Sequence, residues 1–179
     1  MKRSMIVIGV LVVACSMLLQ AQAPIPNMSP IIGTWKVNFE KSTYFPGPRP
    51  APAGNAQTRR YVDRGNGVIG EVRINANPAG AVALNNVWSG KFDGSDAPVF
   101  NQNDLLAFLE TGAKPMTTRA YKVVADPYTM ESTNKTDDKV NATVTVVVSK
   151  DGKTITETVK DFNAQGQQAA QNVVIYDRQ

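Results

Sequence analysis

The sequence contains no histidine, and its single cysteine, Cys15, lies near the start of the chain. The missing histidine removes the usual general base, the Ser-His and Cys-His nucleophile pairs and nearly every catalytic zinc site. With Cys15 in a leader segment, the folded part holds no free thiol and no disulfide. Of the common hydrolytic chemistries, only a pair of carboxylates remains. We therefore predict a protein that is not an enzyme, with no catalytic residue, no metal site and no cofactor.

The chain also lacks a strong charge of either sign. Its formal net charge of +4 includes Lys2 and Arg3 of the leader, so 17 basic and 15 acidic side chains remain, a difference of +2. A nucleic-acid-binding surface needs a basic stripe, and only the doublet Arg59-Arg60 is left. We interpret this doublet as a solvated strand face. The sequence predicts no nucleic-acid partner.

The first 23 residues have the pattern of a signal peptide. Lys2 and Arg3 precede an apolar run from Met5 to Leu19, which is shorter than the roughly 20 residues of a membrane-spanning helix. Ala21-Gln22-Ala23 predicts cleavage before Pro24, and cleavage after Ala21 is an alternative. Val12-Val13-Ala14-Cys15 is similar to a lipidation site. We favour export to the periplasm or medium over a lipoprotein, with membrane contact only if Cys15 is lipidated.

Residues 24–179 have the composition and patterning of strands joined by turns. In the first strand Trp35, Val37 and Phe39 alternate with polar residues, as in a strand with one wet face. Crossover helices are missing, so the sequence predicts an all-β fold: one antiparallel up-and-down barrel of about 8–10 strands. The predicted strands are Ile31–Phe39, Gln57–Asp63, Val68–Ala76, Val82–Phe92, Thr117–Ala125, Tyr128–Lys135, Val140–Ser149, Thr154–Phe162 and Ala169–Tyr176.

Two segments interrupt this series. Ser42 to Gly54 carries proline at every second position from Pro46 to Pro52 and is predicted to lie as a stiff loop across a barrel mouth. Between Asn101 and Lys114, Asp104 is predicted to cap one short helix that ends at Gly112. We expect this helical insertion to plug one end of the barrel, with a mobile ligand gate as the alternative.

The first and last strands carry a family resemblance. Gly33-Thr34-Trp35-Lys36-Val37 resembles the opening G-x-W signature of the calycin superfamily, which includes lipocalins, fatty-acid-binding proteins and avidins. Val173 to Arg178 is similar to the closing strand of these proteins, and both ends resemble small exported lipocalin-like bacterial domains of unknown function. The resemblance implies that Trp35 closes the barrel floor and that Arg178 stacks on it or binds nearby carbonyl groups.

The sequence departs from these families at positions that matter for ligand binding. Fatty-acid-binding proteins hold a carboxylate with an arginine two positions before the closing-strand tyrosine, and Val174 occupies that position relative to Tyr176. The cysteines of secreted lipocalins are also missing. The resemblance therefore implies a barrel without the carboxylate clamp of that family.

Alternation with Trp35 predicts which side chains line the barrel interior. The candidate ligand-binding residues are Trp88, Tyr121, Met130, Glu157 and Tyr176. Glu157 shares a face with Ile155 and Val159, although a local twist or bulge that turns it to solvent is the more frequent arrangement. If buried, it needs a partner such as Arg119 or Arg73. The further predicted lining residues are Val72, Ile74, Leu84, Asn86, Val144 and Val146.

Three functions follow from this interpretation. The first is an exported lipocalin-like protein that binds a small apolar ligand inside the barrel. The second is a barrel whose interior is filled by side chains, acting through its surface as an envelope interaction module. The third, which we rank last, is a hydrolase that uses carboxylates alone, with Glu157 as its best candidate.

Overall fold

The strands predicted after the leader form a closed antiparallel barrel in the computed structural model, which describes residues 30–47, 56–77 and 79–179. The elements are β1 (Gly33–Phe45), β2 (Ala56–Asp63), β3 (Val68–Ala76), β4 (Val82–Lys91), β5 (Asp93–Phe100), α1 (Gln102–Thr111), β6 (Thr117–Val123), β7 (Thr129–Thr136), β8 (Lys139–Val148), β9 (Thr154–Phe162) and β10 (Gln168–Arg178). Each strand pairs with its neighbours in sequence, and β1 pairs with β10 to close the ring. The predicted barrel with one helical insertion is confirmed, with ten strands in the described ranges. The predicted leader and most of the proline loop lie outside those ranges.

Side-chain alternation decides which face of each strand points inward. Strand β8 shows the pattern most clearly, since its alternate apolar residues are buried: Ala142, Val144, Val146 and Val148. Asp137 and Asp138, between β7 and β8, have φ values of 49° and 61°. Two consecutive left-handed residues form the type of tight hairpin turn that matches the twist of the flanking strands. For β8 and for the turn between β7 and β8, the local sequence therefore agrees with the sheet geometry.

Strand β5 is the one that the sequence analysis misses. The strand begins at Asp93, directly after the predicted strand Val82–Phe92, and Gly94 within it has a φ of 89°. Pro98 and a run of polar residues hide the strand pattern, and only Val99 among its residues is buried. Its register with β4 is confined to Val87 with Phe100 and Trp88 with Val99. A short, polar strand with a proline gives little periodic signal.

Strand β1 continues past the predicted end at Phe39 because it contains a bulge. Its register with β10 shifts between Asn38 and Thr43. The Ser42 hydroxyl donates to the Asn38 carbonyl over 2.6 Å and accepts the Ile175 N–H over 2.9 Å. Ser42, predicted to begin a loop, thus holds the two halves of β1 against β10. A bulge lets a strand resume pairing after extra residues, which alternation alone does not show.

The closed end of the barrel is formed where β1 begins and β10 ends. The Trp35 side chain is fully buried, and its Nε1 donates to the Ile31 carbonyl over 2.8 Å. The Arg178 guanidinium lies 4.2 Å from the Trp35 ring centroid and donates to the carbonyls of Pro30, Ile32 and Gly152. Both interactions that the family resemblance implies for Arg178 are therefore present.

Aromatic and aliphatic side chains fill the barrel half next to the closed end. Trp88 meets Phe92 and Tyr121 edge-on, with ring centroids 5.9 and 4.9 Å apart. Phe92 stacks on Tyr121 at 4.7 Å. Met130 and Val146 are completely buried in the same core. These side chains belong to the hydrophobic core of the described residues and pack closely against one another.

Helix α1 begins after Asn101, whose side chain accepts the Asp104 N–H over 2.9 Å. The Asp104 carboxylate reciprocates by accepting the Asn101 N–H over 3.5 Å. The prediction that Asp104 caps the helix is wrong by three residues, because Asp104 completes the capping box while Asn101 is the cap. Gly112 ends the helix as predicted.

The helix packs on the outside of the barrel. The Phe108 ring lies edge-on to Phe100, with centroids 5.3 Å apart. Phe100 points outward because its neighbour Val99 is buried inside. The helix contacts β4 and β5 and buries none of its own side chains, so the prediction that it plugs the barrel end is wrong. No helix within the described ranges is long and apolar enough to cross a membrane.

Candidate ligand-binding site

Five charged side chains meet in the middle of the barrel interior. This charge cluster consists of Arg59, Glu71, Arg73, Arg119 and Glu157, contributed by β2, β3, β6 and β9. The side chains of both glutamates are no more than 3% exposed, and that of Arg73, the most open of the five, is 15% exposed. Buried charges persist only when they are paired and hydrogen-bonded. The cluster separates the filled half of the barrel from the other half.

Glu71 is the centre of the cluster. Its Oε1 accepts hydrogen bonds from Arg73 Nε and from the Tyr61 hydroxyl, the latter over 3.2 Å. Its Oε2 accepts from Arg119 Nη1 over 2.7 Å and from the Tyr121 hydroxyl over 3.1 Å. Burial alone raises the pKa of Glu71, but the charges of Arg73, Arg119 and Arg59 outweigh it and hold the pKa well below its ordinary value. Glu71 is therefore a permanent anion at neutral pH.

Arg59 joins Glu157 to the rest of the cluster. Its Nη1 donates to Glu157 Oε1, and its guanidinium lies 4.5 Å from the centroid of the Tyr176 ring. The interpretation of Arg59-Arg60 as a solvated face is wrong for Arg59, which is 5% exposed, whereas Arg60 is exposed. The proposed partners of Glu157, Arg119 and Arg73, are also wrong, because β2 brings Arg59 closer.

Glu157 points into the barrel, as alternation with Ile155 indicates, and is 2% exposed. The alternative in which a twist turns this carboxylate to solvent is therefore wrong. Strand β9 pairs without a register shift to β8, from Ala142 with Asp161 to Val148 with Ile155. An unbroken ladder preserves the alternation that a bulge changes.

A cavity of about 480 Å³ occupies the half of the barrel beyond the charge cluster. One wall is polar and comes mainly from β2, β3 and β7; the opposite wall is apolar and comes from β1, β8, β9 and β10. The polar lining residues are Gln57, Arg59, Arg73, Asn75, Asn134, Glu157 and Asp161, and the others are Val37, Phe39, Tyr44, Ala142, Val144, Val159, Val174 and Tyr176. Arg59, Arg73 and Glu157 therefore form the inner end of this cavity.

Tyrosine hydroxyls add neutral donors around the cluster. The Tyr176 hydroxyl donates to Gln57 Oε1 over 2.7 Å. Burial is the largest influence on Tyr176, and it raises the pKa of this phenol well above its ordinary value. The pKa values of Tyr61 and Tyr121 are also raised, first by burial and then by the charge of Glu71. All three phenols stay protonated and act as donors.

The five residues predicted to bind a ligand divide between the two halves of the barrel. Glu157 and Tyr176 line the cavity. Trp88 and Met130 are fully buried in the filled half, where Trp88 Nε1 donates to the Arg119 carbonyl over 2.9 Å. Tyr121 lies in the core and donates its hydroxyl to Glu71 of the charge cluster. Because Trp88, Met130 and Tyr121 lie in the core, they support the cavity floor and do not line the cavity.

The other residues predicted to line the interior lie in different parts of the barrel. Val144 lines the cavity, Val146 lies in the filled core, and Asn86 pairs in register with the cavity residue Arg73. The prediction is wrong for three residues on the outer face: Val72, Ile74 and Leu84. The buried residues of β3 are Ile69 and Glu71, so its inward face continues to Arg73 and Asn75. The rule that apolar residues point inward assigns the wrong face of β3 to the interior, because the inward face of this strand carries Glu71 and Arg73.

Sequence analysis also misses Arg59 and Glu71 as interior residues, and it names Arg73 only as a possible partner of Glu157. A signal for them exists in β2, where Arg59 is in phase with Tyr61, and in β3, where Glu71 and Arg73 carry opposite charges two positions apart. In a strand such residues share a face. Opposite charges on the inward faces of paired strands neutralise each other, which single-strand patterns cannot reveal.

Comparisons with known proteins match this fold and not this sequence. The fluorescent protein UnaG aligns with a TM-score of 0.52 at 13% identity, over 85% of this chain and 99% of UnaG. Fatty-acid-binding protein 1 of Echinococcus granulosus aligns with a TM-score of 0.51 at 15% identity, over 84% of this chain and 98% of that protein. No protein-family model and no curated protein sequence matches. The resemblance to calycin barrels is thus confirmed for the fold.

Proposed function

We propose that this barrel binds a small amphipathic molecule in the cavity beyond its charge cluster. The observation that carries the proposal is the cavity of about 480 Å³ itself, with one apolar and one polar wall. Ligand-binding cavities range from about 300 to 1,000 Å³ and combine apolar lining with a few directed polar groups. The cavity argues against the alternative of a barrel filled by side chains.

The two walls indicate how a ligand lies in the cavity. Val144, Val159 and Val174 offer an apolar surface to the body of the ligand. Across from them, Gln57 and Arg59 offer amide and guanidinium groups to one polar group. The small apolar ligand predicted from the sequence is therefore refined to a ligand with one apolar side and one polar end.

The arrangement of the acidic side chains favours binding over carboxylate catalysis. Glu157 is engaged by Arg59, and Glu71, the nearby carboxylate of the charge cluster, accepts four hydrogen bonds and is not among the residues that line the cavity. A glycosidase needs two carboxyl groups that both face the reacting bond, one of them as a proton donor. Glu71 and Glu157 are held by arginines instead, so they are poorly suited to that reaction.

We extend the proposal to the location of the protein, which we place outside the cytoplasm. The support is the leader pattern: Lys2 and Arg3 before an apolar run, then Ala21-Gln22-Ala23. A binding protein that is exported meets ligands of the periplasm or medium rather than cytoplasmic metabolites. Lipidation at Cys15 is the competing route and attaches the same barrel to a membrane.

Blocking the cavity tests the binding proposal. The neutral dye N-phenyl-1-naphthylamine fluoresces when it enters an apolar site, so wild-type protein is expected to enhance its emission saturably. Ala142 lies in the cavity wall and is 7% exposed, whereas Val147 on the same strand points outward. Ala142→Phe and the smaller Ala142→Leu should reduce dye binding in that order, while Val147→Phe should leave it unchanged.

Circular dichroism of the three variants shows whether each retains the barrel. A wild-type protein that fails to bind the dye counts against the proposal. Equal dye binding by a folded Ala142→Phe and the wild type also counts against it, because the dye then binds elsewhere.

A further inference from the structure

The charge cluster contains one more cation than anion. In the described residues it has three guanidinium groups, from Arg59, Arg73 and Arg119, against the two carboxylates of Glu71 and Glu157. A buried charge without a partner is costly, and the cost disappears when a counter-charge binds nearby. The excess positive charge makes the inner end of the cavity suited to one anionic group.

The unsatisfied donors of the cluster belong to residues that line the cavity. Four donors already occupy the two oxygens of Glu71. Arg59 uses Nη1 for Glu157 and reaches Gln57 Oε1 only over 3.5 Å through Nη2, while its buried Nε has no hydrogen-bond partner among the described residues. Arg73 uses Nε for Glu71 and reaches the Tyr121 hydroxyl only over 3.4 Å through Nη2. The Nη2 groups of Arg59 and Arg73 are thus held only by long hydrogen bonds and can donate to an acceptor supplied from the cavity.

A second charged feature lies near the other end of the cavity. Asp161 is the last inward residue of β9, about 13 Å along the strand from Glu157. Its Oδ2 accepts from Asn172 Nδ2 over 3.5 Å, and no described lysine or arginine forms an ion pair with it. Partial burial raises the pKa of this carboxyl group. The cavity therefore has a positive inner end and a negative outer end.

We infer that the cavity selects an amphipathic monocarboxylate, whose carboxylate binds Arg59 and Arg73 while Asp161 disfavours a second negative charge at the far end of the ligand. This inference rests on the proposed function and specifies the ligand class. The ligand enters with its carboxylate first and its apolar chain follows along the valine wall. A ligand with two acidic ends gains binding free energy at the arginines, but repulsion between its second carboxylate and Asp161 offsets that gain.

Three compounds with the same twelve-carbon chain separate these effects. Dodecan-1-ol is neutral, dodecanoate has one carboxylate, and dodecanedioate has one at each end. Each competes against bound N-phenyl-1-naphthylamine at about pH 8, where all carboxylates of interest are ionised. We expect dodecanoate to displace the dye at about tenfold lower concentration than either of the others, the size of one charge-assisted hydrogen bond.

Two pairs of variants assign the preference to named residues. Arg73→Gln should remove most of the advantage of dodecanoate over dodecan-1-ol, whereas Arg60→Gln, on the outer face of β2, should not. Arg73→Lys retains the charge without the planar donor fork and should lose less, which keeps the test open if Arg73→Gln does not fold. Asp161→Asn should raise the affinity for dodecanedioate, and Asp138→Asn, at an exposed hairpin, should not.

The outcomes separate this inference from the binding proposal. If wild-type protein does not bind the dye, the proposed function fails and the inference fails with it. If the dye binds but the three compounds displace it equally, binding stands and the monocarboxylate inference is overturned. Loss of the preference in Arg60→Gln as well as in Arg73→Gln also overturns it, because the effect then comes from overall charge.

Discussion

Glu71 shows how a single residue determines the character of the barrel interior. Its side chain is completely buried and receives hydrogen bonds from Arg73, Arg119 and two tyrosines. Removal of one partner from a buried ionic network leaves the remaining charges without compensation, at a cost of about 3–5 kcal/mol. The carboxylate thus stabilises the arginines on which the cavity floor depends.

Glu71→Gln therefore lowers the free energy of unfolding by about 3 kcal/mol, because the amide keeps the shape but not the charge. Urea unfolding followed by tryptophan fluorescence measures this loss. Glu131→Gln makes the same substitution at an exposed site of β7 and changes stability by less than about 0.5 kcal/mol. Equal effects of the two substitutions contradict the central role of Glu71.

The same residue makes stability depend on pH in one direction. The folded-state pKa of Glu71 lies below its unfolded-state value of about 4.3, so its full contribution is present above that pH. The contribution declines as the pH falls below about 4.3 toward the folded-state pKa. Wild-type protein should therefore lose more stability between neutral and acidic pH than Glu71→Gln. Parallel pH profiles for the two proteins contradict this assignment.

At the scale of elements, closure of the barrel depends on how β1 and β10 meet. Trp35 pairs with Arg178 and Val37 pairs with Tyr176 in the closing ladder. The Arg178 side chain crosses Gly33 on its way to the carbonyls of Pro30 and Ile32. A Cβ at position 33 would lie 2.6 Å from Arg178 Nη1, so any other residue there requires the guanidinium group to shift from its present position.

Gly33→Ala is expected to destabilise the closing ladder. The added Cβ lies 2.6 Å from Arg178 Nη1, at a backbone φ of +142° that alanine rarely adopts. Gly166→Ala is the matched control, since φ is +76° there and nothing lies within 4 Å of the new Cβ. Strained backbone costs about 1–3 kcal/mol. The loss in Gly33→Ala, measured by urea unfolding, should exceed that of the control, and an equal loss refutes the steric role of Arg178.

At the scale of the whole molecule, the barrel consists of two structurally different halves. The half near Trp35 and Arg178 is filled, while the other half contains the cavity. The charge cluster lies between them, and Val37, Val144 and Tyr176 belong both to the hydrophobic core and to the cavity wall. The core therefore continues past the charge cluster into the wall of the cavity.

The proposed export concerns the whole chain, and an intact mass measures it. After expression in a Gram-negative host, the periplasmic fraction should contain protein that begins at Pro24 or at Gln22. Membrane-associated protein that begins at a lipid-modified Cys15 identifies the lipoprotein route instead. Full-length protein confined to the cytoplasm contradicts export. A Lys2→Glu, Arg3→Glu variant serves as the control, since loss of the positive n-region should retain the chain in the cytoplasm.

The sequence by itself determined the order of the strands other than β5, since alternation and turn residues act between near neighbours. The family resemblance carried by Trp35 and Arg178 indicated the closed end, and the phase of β9 made Glu157 a candidate for the interior without excluding a position in solvent. Only the tertiary structure decided the partner of Glu157, the outward position of Val72 and the burial of Glu71. The reason is physical: opposite charges are tolerated inside only when strands distant in sequence bring them together, and the pattern of one strand does not contain its partner.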